Sequence, residues 1–201
     1  MEKTKTTIIG FTGALESGKS TSAKIATSFL EDRFESLFRV ETMAFAEPFK
    51  KIMLEYFGFY PYQVYTPEGK AETHPLWNMT AREFMQRFGA GMRKSVAEDI
   101  WVKTAEVAMM RSIAKAEKAK YDQFAIVFDD VRQDNEAEMI RRHGGRIIKV
   151  IRPGHAAKTV GIQGHESEKG LSENLIDYLV INDGGMDKLR VDVIRTVSTF
   201  L

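Results

Sequence analysis

Residues 13 to 20, Gly-Ala-Leu-Glu-Ser-Gly-Lys-Ser, set two glycines, a lysine and a hydroxyl at the spacing G-x-x-x-x-G-K-[ST]. That spacing suits a phosphate chain: successive backbone N–H groups cradle the β-phosphate, Lys19 neutralises β and γ oxygens, and the Ser20 hydroxyl ligates Mg²⁺. A side chain at Gly18 would hold the backbone away from the phosphate. Gly13, Ser17, Gly18, Lys19, Ser20 and Thr21 are the candidate ATP-binding residues, Thr21 being equally readable as a first-turn helix residue. Glu16 beside a triphosphate is repulsive, so its side chain is expected in solvent.

Such a loop works with an acid at the end of a neighbouring strand. The apolar run Phe124 to Phe128 ends in Asp129-Asp130. Strand alternation sends the two acids to opposite sides, so only one faces a metal easily. Arg132 follows two residues later, within reach of an acceptor phosphate. A third constellation is Thr80 to Arg93, where Arg82, Gln86, Gly89 and Arg93 fall at i, i+4, i+7 and i+11 on one helical face. Phe84, Met85, Phe88 and Met92 fall mostly on the other. Arginine offers a bidentate fork to phosphate and glutamine pairs two-sidedly with a base edge, although a solvated helix face explains the stripe equally well.

The elements that position these residues alternate between strand-like and helix-like, the pattern of a parallel sheet wrapped by crossover helices. Thr6 to Thr12 reads as a buried strand, and Ala23, Ala26, Phe29, Leu30 and Phe34 as the helix after the glycine loop. Arg39 to Phe45 is a second strand, followed by a helix with Phe49, Ile52, Met53, Tyr56 and Phe57. Phe59 to Trp77 is a long loop rich in aromatics and prolines, the kind that is usually functional. Thr80 and Glu83 form a capping box, and helical sequence fills most of 95 to 120. After the acids a helix runs to Gly144-Gly145, then a strand from Arg146 to Arg152. Residues 155 to 170 read as a polar flap, and a short helix from Ser172, a strand from Tyr178 to Asn182 and a last helix complete the chain.

The 201 residues, 43% of them hydrophobic, suffice for one sizeable core. Lys and Arg number 29 against 28 Asp and Glu, so no global field gathers nucleic acid or membrane. Zero cysteines exclude disulfides and fit a reducing cytoplasm. Neither an export signal nor an apolar run of about 18 residues is present, so a soluble protein is expected.

GALESGKST, FAEPFK, TAREFMQRFGAGMRK, FDDVRQDNEAE with GGRIIKVIRPG, and HESEKGL with VINDG resemble, in that order, the phage-type deoxynucleoside monophosphate kinases. The resemblance runs from residue 8 to about 189. It implies an α/β, three-layer P-loop kinase fold with a five-stranded parallel sheet, one domain over 1–201, an acceptor-binding excursion at 46–100 and a lid at 153–170. By position it implies that Asp130 is the magnesium-shell acid, that Arg82, Arg93 and Arg132 hold the monophosphate, and that Arg152 starts the lid. Asn182 and Gly184 would lie near the adenine of ATP. Phe45 and Trp77 are candidates for stacking on the acceptor base, with core packing at least as good an account of Phe45; Lys70 and Gln86 complete the acceptor set. His155, Lys158 and His165 of the lid read better as solvated than as phosphate ligands.

The implied reaction moves the γ-phosphoryl group of ATP, with Mg²⁺, to the 5′-phosphate of a deoxynucleotide. With a second pKa of about 6 that acceptor needs no general base. A packed wall from Tyr60 to Tyr65 would disfavour a 2′-hydroxyl. A kinase for a hydroxyl acceptor such as dephospho-CoA, with Asp129 as base, is the alternative, and a P-loop NTPase without a small-molecule acceptor is a third reading. Small-molecule substrates, no nucleic acid and no membrane are expected, in the cytoplasm, or the host's if phage-encoded. A homodimer stays open.

Overall fold

The computed structural model describes residues 4–33, 38–154 and 170–201. The chain opens with β1 (Lys5–Thr12), turns through the glycine loop into α1 (Lys19–Arg33), and returns as β2 (Phe38–Met43) and α2 (Glu47–Tyr56). A short α3 (Pro61–Tyr65), a 3-10 turn at Gly69–Ala71 and a hairpin of β3 (Thr73–His74) and β4 (Met79–Thr80) precede α4 (Ala81–Ser95) and α5 (Ile100–Lys118). Then come β5 (Gln123–Phe128), α6 (Asp134–Arg142), β6 (Arg146–Ile151), a 3-10 turn at Glu173–Leu175, β7 (Tyr178–Ile181) and α7 (Met186–Ser198).

The main sheet has five parallel strands in the order β2-β5-β1-β6-β7, as a P-loop kinase fold requires. Its inner strands are apolar on both faces because helices cover both. Phe124, Ile126 and Phe128 of β5 pack with α5 and α6, while Ala125 and Val127, pointing the other way, pack with α1 and α7. Each fully buried side chain of this kind, Ile126 for one, contributes about 1.5–3 kcal/mol of hydrophobic stabilisation. A Cβ at Gly10 would come within 2.8 Å of Ile140 and Ile147, so glycine lets α6 lie close to β1.

A third core is built of residues between 49 and 101: Phe49, Met53, Phe59, Val64, Ala81, Phe84 and Trp101 are buried together. The stretch expected as a long loop therefore holds its own secondary structure, because its aromatics have a core to fill. Thr80 accepts the Glu83 N–H at 3.1 Å and Glu83 accepts the Thr80 N–H at 2.9 Å, the capping box that starts α4. Residues 96–99 separate α4 from α5.

Phe34, His155, Lys158 and His165, with most of the expected lid, lie outside the described residues. Among the described residues no helix is long and apolar enough to cross a membrane.

Candidate active site

In a parallel sheet the C-terminal strand ends share one edge, and ligands bind in the crevice outside it. β1 leads there into the glycine loop, β2 into Phe45, β5 into Asp129 and Asp130, β6 into Arg152 and β7 into Asn182. Gly13 and Gly18 hold φ angles of 151° and 98°, which only glycine adopts readily. Glu16 is also left-handed at φ 62°, and it is exposed as its charge requires. Ser17 is 3% exposed and its hydroxyl has no hydrogen-bond partner, a buried polar atom inside the loop that a phosphate oxygen would satisfy. The Asn182 side chain donates to the Ser17 carbonyl at 2.9 Å, so it acts on the loop itself. Gly184 is exposed, just ahead of α7.

Lys19 Nζ lies 3.3 Å from the Ala14 carbonyl. Burial and the charge of Arg132 bring its pKa down to about 8, against the pull of Asp130 and Asp129. Both acids thus act on Lys19, and both lie just beyond β5, which ends at Phe128. Asp130 accepts the Phe45 N–H at 2.8 Å and the Ala46 N–H at 3.1 Å, one on each oxygen. Burial and Asp130 raise the Asp129 pKa, while Lys50 and Lys19 lower it.

Glu136 is missed by sequence reasoning, although it stands where a helix N-terminus favours an acid. It is 3% exposed, and one oxygen accepts the N–H groups of Arg132 at 2.7 Å and Gln133 at 3.1 Å. Burial and the nearby Asp130 raise its pKa to about 7, while those two hydrogen bonds and Arg93 favour its charge.

The cations converge. Burial, and after it the charges of Lys50, Arg82 and Arg132, lower the Lys70 pKa to about 8 against the pull of Asp129. These five groups come from the 3-10 turn, α2, α4 and the end of β5. The turn that carries Lys70 is fixed by contact: a Cβ at Gly69 would fall 2.3 Å from the Tyr62 carbonyl oxygen. Arg82, Gln86 and Arg93 are half-buried along α4, but Gly89 is buried and its carbonyl accepts the Trp101 indole N–H at 3.1 Å. The glycine of the stripe thus serves packing.

Aromatic candidates fare differently. The Phe45 ring is 2% exposed and stacks on Phe128 at 4.9 Å, so the ring belongs to the core. Trp77 is half-buried, edge-on to Phe57 at 5.6 Å, its indole N–H donating to the Phe57 carbonyl at 2.8 Å. Tyr60, Tyr62 and Tyr65 are exposed and build no packed wall; the Tyr62 and Tyr65 phenols donate to Glu72 and Glu47. Arg152 is exposed at the boundary of the described residues.

Residues 70–193 match the family model for deoxynucleotide monophosphate kinase. A protein of Acanthamoeba polyphaga mimivirus, named "Putative deoxynucleotide monophosphate kinase", is 30% identical over 197 residues, covering 95% of this chain and 96% of the viral one. The chain belongs to the deoxynucleotide monophosphate kinase family, whose phosphotransferases phosphorylate deoxynucleotide monophosphates.

Proposed function

We propose that ATP is the donor, held with Mg²⁺ by residues 13–21, and that the acceptor monophosphate lies between that loop and the excursion formed by residues 46–100. The observation that carries this reading is that Arg82 and Arg132 both act on Lys70, and that Arg132 acts on Lys19 of the loop as well. Half-buried Lys70 and Arg82 and the exposed Arg132 repel one another, and a dianionic phosphate among them offsets that repulsion.

Lys19 and the loop N–H groups bind the donor phosphates, with the buried Ser17 hydroxyl turned to an oxygen. Asn182 keeps the loop in shape through the Ser17 carbonyl. Ser20 and Asp130 would hold magnesium, being the sparse protein donor set that the ion takes when phosphates complete its shell, and it would supply charge neutralisation there. Arg82, Arg93, Arg132 and Lys70 orient the acceptor so that a 5′-phosphate oxygen attacks the γ-phosphorus. The bond to the ADP oxygen breaks as the new one forms, and no proton need leave the acceptor.

The test is an ADP-release assay over the deoxy and ribo monophosphates, dephospho-CoA and gluconate, with ATP and Mg²⁺. Turnover of at least one deoxynucleotide monophosphate in preference to its ribo counterpart is expected. Turnover of dephospho-CoA alone would overturn the reading and make Asp129 the base.

A further inference from the structure

Lys50 belongs to α2 and closes the stretch FAEPFK, where the sequence gives it no role of its own, yet it is the charge that acts most on Lys70. Its side chain is only 17% exposed. The ammonium group stands 5.3 Å above the centre of the Tyr65 ring and 3.9 Å from a Glu47 oxygen. The Tyr65 phenol donates to the other Glu47 oxygen at 2.9 Å. Ring and carboxylate, fastened to each other, thus hold the lysine from two sides.

That arrangement keeps one half-buried ammonium group beside another. Lys50 and Lys70 repel each other, Arg82 and Arg132 add to the repulsion, and Asp129 attracts both lysines. A lysine with a flexible four-carbon stem escapes such a neighbour into water unless something holds it. Here Glu47 is too distant for a close ion pair, and the cation–π contact is worth about 0.5–1 kcal/mol at such a site. The ammonium group therefore keeps donor capacity, within electrostatic reach of Asp129 and Lys70.

We propose that Lys50 is a further ligand of the acceptor's phosphate, reaching it from α2 while the arginines of α4 reach it from the other side, and that Glu47 and Tyr65 position it. The proposal rests on the acceptor site described under Proposed function. It makes the first helix after β2 part of the binding machinery, and it gives the polar pair on the face of α2 and α3 a purpose beyond solubility.

The test compares Lys50→Met, which keeps most of the apolar stem, with Lys50→Arg, Tyr65→Phe and Arg82→Ala, all in the full chain with ATP and Mg²⁺. Lys50→Met should raise KM for the deoxynucleotide monophosphate at least about tenfold and leave KM for ATP within about twofold. Lys50→Arg should restore most of the loss, and Tyr65→Phe should raise the same KM by about twofold to fivefold without touching kcat. A Lys50→Met enzyme with unchanged monophosphate KM, beside an Arg82→Ala enzyme in which it rises, overturns the role of Lys50 alone. If both variants change only the ATP constant, the acceptor site itself is misplaced. Should Lys50→Met not fold, Tyr65→Phe decides, and an unchanged monophosphate KM in it overturns the proposal.

Discussion

The carboxylate of Asp130 accepts the backbone N–H of Phe45 at 2.8 Å across 85 residues of chain, and Ala46 completes the clasp at 3.1 Å. The acid at the end of β5 thereby fixes the point where the chain leaves β2 for the acceptor-binding segment. Asp130→Asn would set an amide NH₂ against one of those N–H donors. The expected cost is about 1–3 kcal/mol, read as a lower Tm, together with a loss of kcat. Asp129→Asn breaks no such clasp and should leave Tm nearly unchanged, so thermal melts of the two variants separate their roles.

How much of this was legible beforehand follows from which residues act through local pattern. The phosphate loop, the strand ending in acids and the Thr80 capping box are local, and each stands where its spacing predicts. Phe45 deceived in part, because an aromatic at a strand end looks the same whether its ring or its backbone serves the site. Here the ring stacks on Phe128 and the N–H holds Asp130. Glu136 and Lys50 act through partners from 43 to 79 residues away in sequence, Arg93 for one and Asp129 for the other, and no period in a single helix reveals such pairs. Arg82 and Arg132 likewise act on Lys70 from elements apart in sequence, which no spacing along α4 reveals.

Lys19 is held over the loop by burial and by the Ala14 carbonyl, not by any ion pair that folding depends on. Lys19→Ala should therefore fold normally, with an unchanged Tm or a slightly higher one. Transfer should fall by far more than tenfold in kcat/KM, the equivalent of about 1.4 kcal/mol. A folded variant that keeps over a tenth of the wild-type value would contradict the assignment of this loop to the donor.

Lys70 predicts an alkaline limb. Its pKa of about 8 lies below the ordinary lysine value because burial and then Lys50, Arg82 and Arg132 disfavour its charge. The phosphate of the acceptor wants the charged form, so KM for the monophosphate should rise as pH climbs through about 8, with proton uptake on binding. The sign for stability is opposite: the unfolded chain holds this proton more tightly, so the empty protein gains stability between about pH 8 and 10.5 from this group. Lys70→Arg, which does not titrate, should remove the limb. Measurements at saturating ATP keep Lys19, whose own pKa is also about 8, out of the profile.

Glu136 should show stability and activity moving in opposite directions. Its folded pKa of about 7 lies above the ordinary glutamate value of 4.5, chiefly because burial opposes the charge. A raised folded pKa means that its contribution is fully present below about pH 4.5 and is lost as pH rises through about 7, a swing of roughly 3 kcal/mol. Glu136→Gln keeps an oxygen to accept the Arg132 and Gln133 N–H groups and removes only the charge. It should therefore raise Tm at pH 8 and change it little at pH 4.5. The same charge attracts Arg93 from α4 while its hydrogen bonds fix the backbone that carries Arg132. Losing it frees Arg93, so KM for the monophosphate should rise several-fold while KM for ATP holds. A variant that is more stable at pH 8 and yet binds the acceptor as well as wild type would show that the carboxylate serves the loop alone, and that Arg93 owes its position to other contacts on α4.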